Sequence, residues 1–139
     1  MAGTIRVCAD ILTEMLGHAR CEPGIECCGL LAGRDGTVTA IFPAKNALAS
    51  ATAYEIAPRE LFRFFKQMRV EGLEHLGIYH SHPSSENVPF ARDIQQAYYS
   101  DQVYFIVSPL ADAPKPVRAF SIGDGDVREL EIDVTRTDL

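Results

Sequence analysis

The chain has 139 residues, 47% of them hydrophobic and 23% charged, with a formal net charge of −6. That is enough chain for one domain with a real hydrophobic core, and residues 1–139 read as a single domain. The acid excess argues against a phosphate-backbone binder, and no run approaches the roughly 18 apolar residues of a membrane span.

The chain opens Met-Ala-Gly-Thr-Ile-Arg-Val, without the basic and then apolar pattern of a secretory signal. Ile5 and Val7 alternate with Thr4 and Arg6 as a short strand. Asp10 can cap a helix whose apolar face is Leu12, Met15, Leu16 and Ala19, and Cys21-Glu22-Pro23-Gly24 breaks it. The apolar run from Glu26 to Ala32, a Gly33-Arg34-Asp35-Gly36 turn and a strand from Thr37 to Phe42 read as a β-hairpin. The four cysteines, Cys8, Cys21, Cys27 and Cys28, form no C-x-x-C pair. Cys27 and Cys28 lie inside the apolar run as buried thiols, which predicts a reducing, cytoplasmic compartment.

Pro43 to Ser50 is a loop, and Ala53 to Ala57 is a predicted short strand. Pro58 suits the first turn of a second helix, where Leu61, Phe62, Phe65, Met68 and Arg69 recur at helical spacing. Their aromatic stripe reads as core packing, and Gly72 ends the helix. A buried strand follows from His75 to His80, and then a short helix from Phe90 to Tyr99. Val103–Val107, Val117–Ile122 and Val127–Val134 are strands, the last two joined by Gly123-Asp124-Gly125, and Thr135–Leu139 reads as a frayed tail. Strands interspersed with about three helices predict an α/β domain around one sheet.

His80 and His82 end the apolar run Gly77-Ile78-Tyr79. Positions i and i+2 of a strand share a face, so both imidazoles can reach one ion. Asp93 can return from the following helix with an oxygen. Three protein ligands with one open position is the pattern of a catalytic zinc, although iron, manganese and cobalt accept the same donors. A competing set, His80, His82 and Glu86, has the spacing of part of a cupin motif. The glycines flanking that motif would fall on Glu74 and Asp93, and the helices sit badly in an all-β jelly roll. Water activated by a metal also needs a base. Glu26 opens an apolar strand, but composition does not choose it over Glu22, Glu55 or Glu86.

Glu26-Cys27-Cys28-Gly29-Leu30-Leu31, then Gly77-Ile78-Tyr79-His80-Ser81-His82-Pro83, then Asp93, resembles the JAMM (MPN-plus) metallopeptidases over nearly the whole chain. Asn46, Tyr54 and the strand from Val103 to Ser108 resemble the family's short prokaryotic members. The resemblance implies a curved mixed β-sheet flanked by helices. It implies zinc on His80, His82 and Asp93 and Glu26 as general acid/base, with no acyl-enzyme. It also implies a substrate that is a ubiquitin-like protein, here a sulfur carrier, cut after its C-terminal tail. No nucleic acid or membrane partner is expected, and a homodimer stays open. One position departs: the motif serine that helps hold the carbonyl oxygen falls on Phe90, leaving Ser81, Ser84 or Ser85 as substitutes. Phe90 keeps a second reading open, a non-catalytic MPN-type binding module. A third is a JAMM isopeptidase that removes ubiquitin-like tags from lysines.

Overall fold

Runs that are apolar at every position belong to strands covered on both faces, and β2 (Cys28–Arg34) is the clearest case, buried from Cys28 to Gly33. The computed structural model describes residues 3–136. In chain order its elements are β1 (Thr4–Cys8), α1 (Ala9–Cys21), β2, β3 (Thr37–Ala44), α2 (Pro58–Glu71), β4 (Glu74–Ser81), α3 (Ala91–Gln95), β5 (Val103–Val107), β6 (Val117–Gly123) and β7 (Asp126–Thr135). Among the described residues, no helix is long and apolar enough to cross a membrane.

The strands lie in the order β1-β3-β2-β4-β5-β6-β7, and β1 also pairs in parallel with β7, so the expected mixed sheet closes on itself. The β1–β3 and β4–β5 pairs are parallel as well, and the other neighbours are antiparallel. One sheet face buries Val7, Leu31, Val38, Tyr79 and Phe105 with Ile11, Met15 and Ala19 of α1. On the other face Cys28, Leu30 and Phe42 pack with Phe64 and Met68 of α2. Ile94 of α3 is partly buried against Tyr104, Ile106, Phe120 and Ile122.

Local chemistry explains the turns. The two hairpins bend at Asp35-Gly36 and Asp124-Gly125, all four residues with positive φ, as tight hairpin turns require. Gly72 ends α2 in the left-handed conformation at φ 69°. Gly29 has a different reason to be glycine. A Cβ there would stand 2.5 Å from Tyr79 Cε1 and 2.6 Å from the Phe42 carbonyl oxygen.

Several expectations differ from the structure. Asp10 is not the cap of α1, because the helix starts at Ala9 with Cys8 at the cap position and Asp10 in the first turn. Ala53–Ala57 is not a strand. Its backbone is bonded to the Asn46 side chain, which donates to the Ala53 carbonyl at 2.9 Å and accepts from the Glu55 N–H at 3.2 Å. Of the predicted α2 stripe, Met68 is buried and Leu61 packs partly against that core, but Phe62 and Phe65 are exposed and Phe64 is buried in their place. The helix after Phe90 stops at Gln95. Beyond it the Tyr104 hydroxyl accepts from the Tyr99 N–H at 3.0 Å and donates to the Tyr99 carbonyl at 3.3 Å. Thr135 closes β7, and residues 137–139 of the predicted tail lie outside the described residues.

The glycine environments set opposite expectations for two substitutions. Gly29→Ala forces the β2 backbone against Tyr79 and Phe42 and should cost about 2–3 kcal/mol. Gly17, inside α1 with nothing within 4 Å of an added Cβ, should gain about 0.5–1 kcal/mol on mutation to Ala. Urea unfolding of the two variants measures both signs.

Candidate metal centre

The register of β2 on β4 builds the site. Cys28 pairs with His80 in this antiparallel ladder. The pairing runs on past the strand ends: the Ser81 N–H donates to the Cys27 carbonyl at 3.0 Å, and the Cys27 N–H donates to Ser81 Oγ at 2.8 Å. One further step carries Glu26 opposite His82, on the face that already holds His80. On its other side β4 is tied to β5, where the His82 N–H donates to the Val107 carbonyl at 2.9 Å.

Glu26 is fixed by its own backbone. Its N–H donates to the Ser50 carbonyl at 2.8 Å, and its carbonyl accepts from Asn46 Nδ2 at 2.9 Å. Buried Asn46 thus joins the start of β2 to the 46–55 loop. Asp93 arrives from the first turn of α3, where its Oδ2 accepts from the Phe90 N–H at 2.8 Å. That bond satisfies a free helix-start amide and aims the carboxylate back towards the histidines.

His80 Nε2 and His82 Nε2 are 3.3 Å apart. Asp93 Oδ1 stands 3.1 Å from the first nitrogen and Oδ2 3.2 Å from the second. Donors about 2.0–2.1 Å from one tetrahedral centre are separated by about 3.3 Å, so this spacing fits a small divalent ion. The other imidazole nitrogens differ. His82 Nδ1 meets the Glu86 carbonyl at 2.8 Å, the kind of bond that orients a metal-binding histidine. His80 Nδ1 is buried with no partner, and the ring is held instead by stacking on Tyr54, with centroids 4.7 Å apart.

The electrostatics follow from burial and crowding. Glu26 is 4% exposed, and its Oε1 has no hydrogen-bond partner. Burial raises its pKa to about 7, with His82 lowering it, Asp93 raising it and Arg92 lowering it. Burial also opposes the charge on Asp93, but hydrogen bonds from His80 and His82 hold its carboxyl well below the usual range. His80 is lowered, mainly by burial. For His82, burial pulls down but the hydrogen bonds to Asp93 and the Glu86 carbonyl raise it overall. A carboxyl poised near neutrality beside a carboxylate held ionised gives two acids two different roles.

The other candidates are accounted for. Glu22 bonds His18 Nε2 at 2.7 Å, away from the cluster. Glu55 enters Asn46's network through its backbone. The Glu86 side chain is 73% exposed and faces Arg118 at 3.7 Å, so only its carbonyl touches a histidine. Burial pushes Cys27 up to about 11 and Cys28 up to about 12, which leaves neither a nucleophile. Ser81 points to the opposite face of β4 from the histidines and accepts from Cys27. Ser84 and Ser85 make no hydrogen bond to the cluster among the described residues. Phe90 lays its ring on His82, centroids 4.6 Å apart, and is 46% exposed. No sequence spacing pointed to Arg92; Asn46 was marked by the resemblance, but not the ties it makes to Glu26 and the 46–55 loop.

Residues 9–123 match the family described as prokaryotic homologs of the JAB domain. The chain belongs to that family. It is 38% identical to a desampylase of Haloferax volcanii over 76% of this chain and 81% of that one. It is 32% identical to the CysO-cysteine peptidase of Mycobacterium tuberculosis over 91% of this chain and 88% of that one. Among solved structures, a protein of Desulfitobacterium hafniense superposes with a TM-score of 0.86 at 36% identity, covering 96% of this chain and 94% of that one. A JAB1/MPN domain protein from Archaeoglobus fulgidus superposes at 0.61 and 17% identity over 93% and 96% of the two chains, which shows the shared fold. The resemblance read from Glu26, the two histidines and Asp93 is therefore borne out at the level of the family, and its named relatives are peptidases.

Glu26 makes the metal-free protein's stability depend on pH. A carboxyl raised from 4.5 to about 7 favours folding fully below pH 4.5, and that contribution is lost as pH rises through 7. Glu26→Gln removes the dependence. Its stability relative to wild type should therefore rise by about 3 kcal/mol between pH 4.5 and 8, measured by urea unfolding in chelator. An unchanged difference across that range would contradict the raised pKa of Glu26.

Proposed function

We propose that this chain is a zinc-dependent peptidase, working in the cytoplasm, that hydrolyses the bond after the C-terminal tail of a ubiquitin-like sulfur carrier. The observation that carries this reading is one face on which a tetrahedrally spaced His80, His82 and Asp93 lie beside a buried carboxyl poised near neutral pH. The relatives named for acting on CysO-cysteine and for desampylation support the substrate class.

His80, His82 and Asp93 would hold the ion. A bound zinc acidifies water and polarises the scissile carbonyl. Glu26 takes the proton from the attacking water and returns it to the leaving nitrogen. Its raised pKa suits both halves of that transfer at neutral pH. Asn46 and the Ser50 carbonyl keep the Glu26 backbone in place while its side chain changes charge. Tyr54 and Phe90 bracket the two imidazoles with aromatic faces and exclude water from them. Phe90 offers no hydroxyl to the carbonyl oxygen, an interaction whose loss costs about 10²–10³ in rate in other hydrolases. That absence is what favours the second reading, a binding module without catalysis.

The two readings separate in one experiment. Zinc is titrated into wild type and Glu26→Gln, and each is then given a Gly-Gly-ending carrier extended at its C-terminus. We expect one zinc per chain in both, and cleavage by wild type that falls by about 10²–10⁴ in Glu26→Gln. Stoichiometric zinc with no cleavage of any extended tail would favour the binding module.

A further inference from the structure

Arg92 adjoins the centre. It precedes Asp93 in the first turn of α3, one residue beyond the helix start. It is exposed, and among the described residues it has no ion-pair or hydrogen-bond partner for its guanidinium. Arg118, by contrast, is held by Glu129 at 2.6 Å. The next residue, Asp93, holds its carboxylate 3.1 Å from His80 Nε2 and 3.2 Å from His82 Nε2. The Arg92 side chain therefore springs from the residue next to Asp93, at the rim of the centre that Glu26 serves. On a chain of net charge −6, an unpaired cation at that place is available to an anion brought by the substrate.

The chemistry of the cleaved bond says which anion. Water adds its oxygen to the tail's last carbonyl, the C–N bond breaks, and a proton passes to the amine. The products are a carrier ending in a carboxylate and a free amine. That nitrogen must come within about 3 Å of Glu26 to receive its proton. If the leaving group is a single amino acid, its α-carboxylate lies two bonds beyond the nitrogen. If the leaving group is a protein lysine, a neutral methylene stem occupies the same place.

We propose that Arg92 binds the α-carboxylate of a single amino acid leaving the carrier's tail, and so directs this centre to C-terminal trimming in preference to lysine isopeptide cleavage. The proposal rests on the peptidase reading above. A guanidinium matches a carboxylate with two parallel N–H donors, which a lysine or an amide cannot reproduce. Phe90 presents the neighbouring wall as an aromatic face without a donor, so Arg92 supplies the charge at the α3 rim.

Three probes test it: a synthetic tail peptide ending Gly-Gly-Ala as the free acid, the same peptide as its C-terminal amide, and the Gly-Gly tail joined to the ε-amine of a blocked lysine. kcat/KM is measured with zinc-loaded wild type, Arg92→Gln and Arg92→Lys. Dissociation constants for the first two probes are measured on Glu26→Gln with and without Arg92→Gln, so that binding is read without turnover. We expect wild type to prefer the free acid by about tenfold over the amide and the lysine conjugate. Arg92→Gln should bring that ratio to about one in both rate and binding, and Arg92→Lys should give an intermediate value. Equal use of acid and amide by wild type, or a ratio unchanged in Arg92→Gln, would overturn the role of Arg92 and leave the peptidase reading standing. Cleavage of none of the probes by zinc-loaded wild type would overturn both.

Discussion

The antiparallel register of β2 against β4 is the constraint on which the rest depends. Because Cys28 faces His80, extending the ladder by two residues sets Glu26 beside His82 on the same face. A slip of one residue would move Glu26 to the opposite face and leave the histidines without a neighbouring carboxyl. The register is held by features that have no chemistry of their own. Gly29 lets Tyr79 lie against β2, and Tyr79 in turn accepts or donates a 2.7 Å hydrogen bond with His18 on α1. Parallel pairing with β5 holds the far side of β4. The polar residues of the centre are thus the end of a ladder whose apolar residues fill both cores.

Holding polar groups at that depth is unfavourable unless each has a partner. The structure meets this requirement at the backbone and leaves it unmet at Glu26 Oε1 and His80 Nδ1. Asn46 donates to the carbonyls of Glu26 and Ala53, and its oxygen takes the N–H groups of Leu48 and Glu55. Glu26 Oε1, in contrast, is buried with nothing to bond. On the proposed reading, rigid backbone and unsatisfied side-chain oxygen belong together: a group that exchanges a proton has to be positioned without being neutralised. The same logic separates the two carboxyls, since Asp93 has two imidazoles to stabilise its charge and Glu26 has chiefly burial acting against its own.

Most strands and the cluster of His80, His82 and Asp93 were legible in the sequence because they depend on local pattern. Alternation, turn residues such as Asp124-Gly125, and the i, i+2 spacing of His80 and His82 are properties of neighbouring positions. Sheet closure was not legible, because β1 and β7 meet across the length of the chain. The Ala53–Ala57 segment looked like a strand because its residues suit one, but the Asn46 side chain takes its hydrogen bonds. The α2 stripe was misplaced because Phe62, Phe64 and Phe65 are all apolar, and only docking on Phe42 decides that Phe64 turns inward. Glu26 could not be chosen from Glu22, Glu55 and Glu86 by residue type. The resemblance singled it out, and the β2–β4 ladder gives the physical reason.

Locating the ion directly is the most decisive measurement. A crystal of the protein grown with zinc, with anomalous differences recorded on both sides of the zinc edge, should show one strong peak. It should lie about 2.0–2.2 Å from His80 Nε2, His82 Nε2 and an Asp93 oxygen, with the Glu26 carboxylate outside the ligand set. A peak elsewhere, or one with Glu26 as a direct ligand, would contradict the division of labour between the three ligands and the buried acid.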